Sequence, residues 1–314
     1  MKPQKIFYDD VPPRPVLTRP EDVARLLVGA VDLHCHSGPA AMPRILDHYD
    51  ALMDCAEAKF RALVYKDHFY PGMAHAVMLE RLLPETGVEL FSGIALNNAS
   101  GGINPHAVDH ALRLGAKIVW MPTLAAKNHV DQTSGAAKDF PKTAEKMLDP
   151  IPLTCLDADG RLTDETKLVL DLIAEADVIL AGGHLHVSEQ HVLFAEAKAR
   201  GVKKMLVNHP TYVIGCTDQD MRDLAAFGVF MEHEIGMFVP GRAQKGDARD
   251  LRRLIDLVGV DRVVLCSDLG LRGSPRPVDG YRAIVQGFLD LDMPEADIRR
   301  LISTNAAALL NLPA

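Results

Sequence analysis

The sequence predicts an α/β fold, a single domain built as a closed (β/α)8 TIM barrel, and three observations predict it. Short apolar runs recur from residue 31 onward, each followed by a helical pattern. No series of hairpin turns joins the runs, which indicates parallel strands. Eight such repeats fit between residues 31 and 312, and that favours a closed barrel over an open doubly wound sheet.

Residues 1–30 read as an N-terminal arm. Pro3, Pro12, Pro13, Pro15 and Pro20 keep its first part extended, and Glu21 to Leu27 reads as a short helix. The barrel takes residues 31–314. Its strands begin near Val31, Ala62, Val88, Lys117, Val178, Lys204, Val229 and Arg262. Amphipathic helical stretches over 47–59, 73–83, 105–114, 164–176, 188–200, 217–227 and 246–258 fill the intervals. A last helical region covers 278–290 and 294–310. The interval after the fourth strand is exceptional. Thr123 to Thr163 form a long insertion with Lys127, Asn128, His129, Pro141, Pro150 and Pro152. An insertion after a strand lies on the catalytic face of such a barrel, and this one is expected to cover a substrate.

Bulk properties narrow the function classes. The chain has 314 residues, 48% apolar and 24% charged, which suits a soluble protein with a large core. A net charge of −8 and a pI near 5.9 argue against a nucleic-acid partner. No run of about 18 apolar residues is present to span a membrane. The N-terminus lacks the apolar stretch of a signal peptide. The five cysteines are odd in number and form no CxxC pair, so a cytoplasmic location with free thiols is expected. No phosphate-binding glycine loop of the GxGxxG type follows the first strand. The partner is expected to be a small-molecule substrate, and the sequence leaves a homo-oligomer open.

Four runs end on side chains that ligate metals. Val31-Asp32-Leu33-His34-Cys35-His36 closes with an HxH, and residues i and i+2 of a strand share a face. Val178 to Ala181 is followed by Gly182-Gly183-His184-Leu185-His186, where His184 is preferred over His186 because it stands nearer the strand end. Met205-Leu206-Val207-Asn208-His209 is stopped by Pro210. Val263-Val264-Leu265-Cys266-Ser267-Asp268 ends on a carboxylate that a buried position tolerates only beside a metal or cation. Parallel strands of one barrel would converge these groups at one mouth, where imidazole and carboxylate suit Zn²⁺ or a similar divalent ion.

Taken together, these segments resemble the amidohydrolase superfamily. The likeness includes the C-terminal pattern of Asp268 followed by Thr304-Asn305-Ala306-Ala307-Ala308-Leu309-Leu310, and it covers roughly residues 31–312. It implies His34, His36, His184, His209 and Asp268 as ligands of one or two divalent metal ions, with Zn²⁺ the first choice. It also implies hydrolysis of a C–N or C–O bond, in an amide, cyclic amide or lactone. A metal-activated water would attack the carbonyl, and Asp268 would carry the proton to the leaving group. One departure stands out. No Lys or Glu closes the fourth strand, Lys117 to Thr123, whereas Lys66 closes the second. Two readings stay open: a carboxylated Lys66 bridging two metals, or an ion-paired Lys66 beside a single metal. Arg44 in the first loop, Asn97 after the third strand and His68 after the second are candidate substrate contacts, Arg44 for a substrate carboxylate. Glu232, His233 and Glu234 end the seventh strand, and periodicity alone does not choose which faces the mouth. The rival activities are a mononuclear metal-dependent decarboxylase of an unsaturated or aromatic acid, and a phosphoester hydrolase.

Overall fold

Eight parallel strands pair in chain order in the computed structural model, which describes residues 6–133 and 140–313. They are β1 Val31–Cys35, β2 Ala62–Tyr65, β3 Glu89–Ala95, β4 Ile118–Trp120, β5 Ile179–Ala181, β6 Met205–Asn208, β7 Phe230–Glu234 and β8 Val263–Cys266. β8 returns to β1 through a parallel bridge between Cys35 and Leu269, reinforced by Asp268 N–H donating to His34 O (2.8 Å) and His36 N–H donating to Leu269 O (2.9 Å). The barrel is therefore closed, as the sequence predicts. Every strand begins within one residue of its expected start.

The helices form where the sequence supplies caps. Asp47 with Asp50, Thr217 with Asp220, and Asp247 with Asp250 make reciprocal capping boxes, and Pro105 and Pro277 occupy first-turn positions. Each such cap is worth about 0.5–2 kcal/mol. The insertion after β4 adds a helix over Lys127–Thr133 that the hydrophobic pattern did not mark. In the N-terminal arm, the backbone N–H groups of Thr18 and Arg19 both donate to Gln286 Oε1, tying the arm to the last large helix, Pro277–Asp290.

Two apolar clusters separate the layers. The larger lies between the sheet and the helices; the smaller fills the lumen with Val31, Leu33, Val64, Ile118, Trp120, Ile179, Leu206 and Val264. The C-terminal helix Asn305–Leu309 joins this lumen cluster through Ala306 and Leu309, and Leu310 follows it there. Asn305 Nδ2 fixes the helix by donating to the carbonyls of Val260 and Val263, at the start of β8. The strands' N-terminal ends are thus plugged by apolar side chains, each worth about 1.5–3 kcal/mol when fully buried. The opposite end holds the polar groups.

A bulge in β1 does much to place them. Its register against β2 slips between Asp32 and Cys35. Strict alternation from Val31 and Leu33 would put Cys35 in the lumen. The slip instead turns His34 and His36 inward and sends Cys35 to the outer layer. Asp32 stabilises this turn, its Oδ1 accepting from the backbone N–H of His34 (3.0 Å) and Ser267 (2.9 Å).

Candidate metal centre

His34, His36 and Asp268 meet at the C-terminal mouth. His34 Nε2 lies 3.3 Å from His36 Nε2; Asp268 Oδ1 lies 3.1 Å from the first and 2.9 Å from the second. The proton of each imidazole is committed elsewhere. His34 Nδ1–H donates to Glu232 Oε1 at 2.5 Å, and His36 Nδ1–H donates to Lys66 O at 3.0 Å. Two nitrogen lone pairs and a carboxylate oxygen therefore converge, an arrangement that repels itself unless a proton or a metal ion lies among them. The pKa values express that pull. Burial and the Lys66 ammonium press His34 downward, yet the Asp268 and Glu232 carboxylates outweigh them and its pKa is raised. Burial takes His36 down to about 3. Asp268 is held well below the usual carboxylate range, because the two imidazoles outweigh its desolvation. The donor set fits a divalent cation.

A second pair faces the same cavity. His184 Nε2 and His209 Nε2 are 3.2 Å apart. His209 Nδ1–H donates to Tyr212 O, and His184 Nδ1 meets His129 Nδ1 at 2.8 Å. His129 comes from the helix Lys127–Thr133, which is held against the barrel by Asn128 Nδ2 donating to His184 O and Val213 O. Burial brings His209 to about 4 and His129 to about 4, so both are neutral imidazoles near pH 7. His186 is exposed and caps the following helix, whereas His184 lines the cavity.

Backbone strain marks two of these positions. Asp268 (φ 48°) and His209 (φ 29°) adopt left-handed conformations, which cost on the order of 1–3 kcal/mol for such residues and persist where surroundings enforce them. Two glycines make room beside them. A Cβ on Gly270 would stand 1.8 Å from His36 O, and one on Gly183 would stand 2.3 Å from Met121 O.

Lys66 enters from β2 with Nζ 2.8 Å from His34 Nε2. Among the described residues it makes no ion pair: Asp67 is taken by Arg44 and Asp268 by the imidazoles. Burial lowers its pKa, against the nearby Asp268, Glu232 and Glu234 carboxylates.

Two of the expected substrate contacts lie elsewhere. Arg44 is fully buried; its Nη2 donates to Asp67 Oδ2 at 3.0 Å, and it is absent from the cavity wall. The first loop turns back to pair with Leu271, which draws the guanidinium beneath the mouth. Asn97 spends its amide on the protein: Oδ1 accepts from Thr123 N and Ala125 N, and Nδ2 donates to His68 O and Thr123 Oγ1. His68 does line the cavity. Glu232 resolves the ambiguity at the end of β7. It faces inward, holding His34 with one oxygen and accepting from Asn208 Nδ2 (3.0 Å) with the other. Glu234, two residues on, is buried, and among the described residues neither of its oxygens has a hydrogen-bond partner.

The cavity has a volume of about 100 Å³. Its floor is His36, Lys66, His68, His184, His209 and Asp268; its walls include Met42, Leu124, Phe140 and Met237, with Arg242 and Lys245 at the rim. Leu124, Phe140 and Pro141 belong to the insertion after β4, which therefore covers the mouth as expected. No helix among the described residues is long and apolar enough to cross a membrane.

Comparison with known proteins agrees with this architecture. The model of a family of unknown function, DUF6282, matches residues 29–232. No curated protein matches the sequence. Among solved structures, an amidohydrolase from Pseudomonas aeruginosa is similar with a TM-score of 0.61 and 13% identity, over 93% of this chain and 97% of that one. The probable dipeptidase PvdM from the same organism gives 0.61 and 12%, over 93% and 98%. A metallo peptidase from Rhodobacter sphaeroides, liganded with a phosphinate mimic of the dipeptide L-Ala-D-Ala, gives 0.57 and 14%, over 90% and 99%. At these identities the likeness establishes the fold, a (β/α)8 barrel.

Proposed function

The chain belongs to the DUF6282 family of unknown function, and from its site we propose a metal-dependent hydrolase of small, carboxylate-bearing amides, cyclic amides or lactones. One observation carries the reading. Asp268 Oδ1 and the Nε2 atoms of His34 and His36 converge within 3.3 Å of one another, with the Nδ1 protons of both imidazoles already committed. His34, His36, His184, His209 and Asp268 would hold one or two divalent ions, with Zn²⁺ the first choice. Such an ion, when bound, supplies a Lewis acid for a carbonyl and activates water near neutral pH.

The protein's own groups do the rest. Asp268 is ionised at working pH, about a quarter exposed, and turned to the cavity, so it can accept a proton and return it to a leaving nitrogen or oxygen. Glu232 keeps His34 in one tautomer and orientation. Met42, Leu124, Phe140 and Met237 exclude water from around the acyl group. With Arg44 paired to Asp67, Arg242 and Lys245 are the cations at the cavity rim, and they are the groups that would hold a substrate carboxylate. Lys66 makes no ion pair among the described residues and has a lowered pKa, properties that favour carboxylation by CO₂ and a bridging role between two metals.

The test combines elemental analysis with a panel of N-acetyl amino acids, cyclic amides and lactones of hydroxy acids. Stoichiometric divalent metal and turnover of at least one class, both lost in a His36→Ala variant, are expected. A parent protein that binds no divalent metal, or that turns over equally well after exhaustive chelation, would overturn the reading. Release of CO₂ from an unsaturated or aromatic acid would instead select the decarboxylase.

A further inference from the structure

His68 sits between the two imidazole pairs. Its ring centroid is 5.0 Å from that of His36 and 6.2 Å from that of His184, and its side chain lines the cavity. Proximity alone would make it one more ligand. Its hydrogen bonds argue otherwise.

The accounting starts at Asn97. Its Oδ1 accepts the backbone N–H of Thr123 (2.9 Å) and of Ala125 (3.0 Å), which fixes the amide's orientation. Nδ2 must then be the donor to Thr123 Oγ1, at 2.6 Å. The Thr123 hydroxyl thus has an accepting contact filled and one proton to give. Among the described residues its one other hydrogen-bond neighbour is His68 Nδ1, at 2.9 Å, and the hydroxyl is fully buried, so its proton has no other acceptor. The hydroxyl therefore donates, His68 Nδ1 accepts, and the single proton of the neutral ring resides on Nε2. This is the reverse of His34, His36 and His209, whose Nδ1–H groups are given to Glu232, Lys66 O and Tyr212 O. Those three present bare Nε2 atoms, which bind cations. His68 presents an N–H, which binds an electron-rich oxygen.

We propose that His68 is a neutral hydrogen-bond donor to the substrate's scissile carbonyl oxygen as that oxygen gains negative charge, and that Asn97 and Thr123 are the positioning residues that set its tautomer. No proton is transferred. The contact strengthens as charge develops, and loss of one such donor typically slows turnover by ~10²–10³-fold. What His68 touches rests on the hydrolase reading; its tautomer does not.

The experiment uses full-length protein with ¹⁵N-labelled histidine rings, metal-free and then with Zn²⁺ added, His68 being assigned through a His68→Gln variant. A protonated Nε2 on His68 is expected in both states, while the Nε2 resonances of His36 and His209 move on zinc addition. Thr123→Val should mix the two tautomers of His68. His68→Ala should keep its metal and lose about 10²-fold or more in kcat on whichever panel compound turns over, and His68→Gln, which retains an N–H, should lose less. A proton on Nδ1, loss of the Nε2 proton when zinc binds, or loss of metal from His68→Ala would each overturn the proposal. These readouts need no turnover, so they separate its failure from failure of the hydrolase reading.

Discussion

Lys66 Nζ stands 2.8 Å from His34 Nε2, an amine and an imidazole facing each other with no carboxylate paired to the lysine among the described residues. An ammonium here would repel a dication, whereas a carbamate would supply two oxygens and a negative charge. Lys66→Ala should therefore lower the metal content from two ions per chain to one, and short carboxylic acids should partly restore it. Equal metal content in parent and variant would make Lys66 a cation of a mononuclear site.

Glu232→Gln tests the carboxylate behind His34. The amide can still contact the ring, but it no longer supplies a negative acceptor for the Nδ1 proton, and its pairing with Asn208 is disturbed. Metal affinity should weaken by about 10–100-fold in chelator competition, with the fold retained. Unchanged affinity would show that the contact is only structural.

Asp268→Asn separates proton transfer from architecture. Asparagine tolerates the left-handed backbone at this position, so the strained turn should survive. The amide cannot accept and carry a proton. A fall in kcat of at least ~10²-fold is expected, with the unfolding free energy changed by less than about 1–2 kcal/mol. Near-parental turnover with metal bound would remove Asp268 from the chemistry.

His48 provides the pH dependence. It is buried, accepts from Ser37 Oγ (2.5 Å) at Nδ1 and donates from Nε2 to the Tyr70 hydroxyl (3.1 Å), so the neutral ring is fully satisfied. Burial first, then His75 and Arg44, bring its pKa down to about 3. The unfolded value is near 6.5. A depressed histidine contributes stability that is complete above the unfolded pKa and is lost as pH falls toward the folded one. Between pH 7 and pH 5 this group should cost the metal-free protein about 1–2 kcal/mol. His48→Gln should flatten that part of the stability curve in chemical denaturation, and a slope equal to the parent's would contradict the assignment.

Much of this architecture is legible in the sequence. Short apolar runs and period-3.6 patterns mark the eight strands and most helices, and an HxH closing an apolar run is a signal that survives without context. The residues that escaped depend on relations the chain does not write locally. Glu232 was one of three adjacent candidates, because the inward phase of a strand end is fixed by its neighbours and not by its own sequence. Arg44 reads as a free cation until the first loop folds back against Leu271 and buries it. Asn97 reads as a ligand-binding amide until the loop after β4 arrives to consume its hydrogen bonds. The helix Lys127–Thr133 is short and polar, with His129 as its buried residue, so it lacks the apolar stripe that marks the others. The bulge in β1 has no sequence signature, although it decides that His34 and His36 turn inward.

The insertion after β4 carries both His129, whose Nδ1 meets His184, and Phe140, which walls the cavity. One insertion thus touches both the histidine cluster and the apolar wall of the cavity. The two rings also pack on each other, their centroids 4.7 Å apart, so a molecule that displaced Phe140 would disturb the ring that faces His184. On the proposed function, metal and substrate would then share a free energy of coupling, and thermodynamic reciprocity would make each change the other's affinity by the same factor.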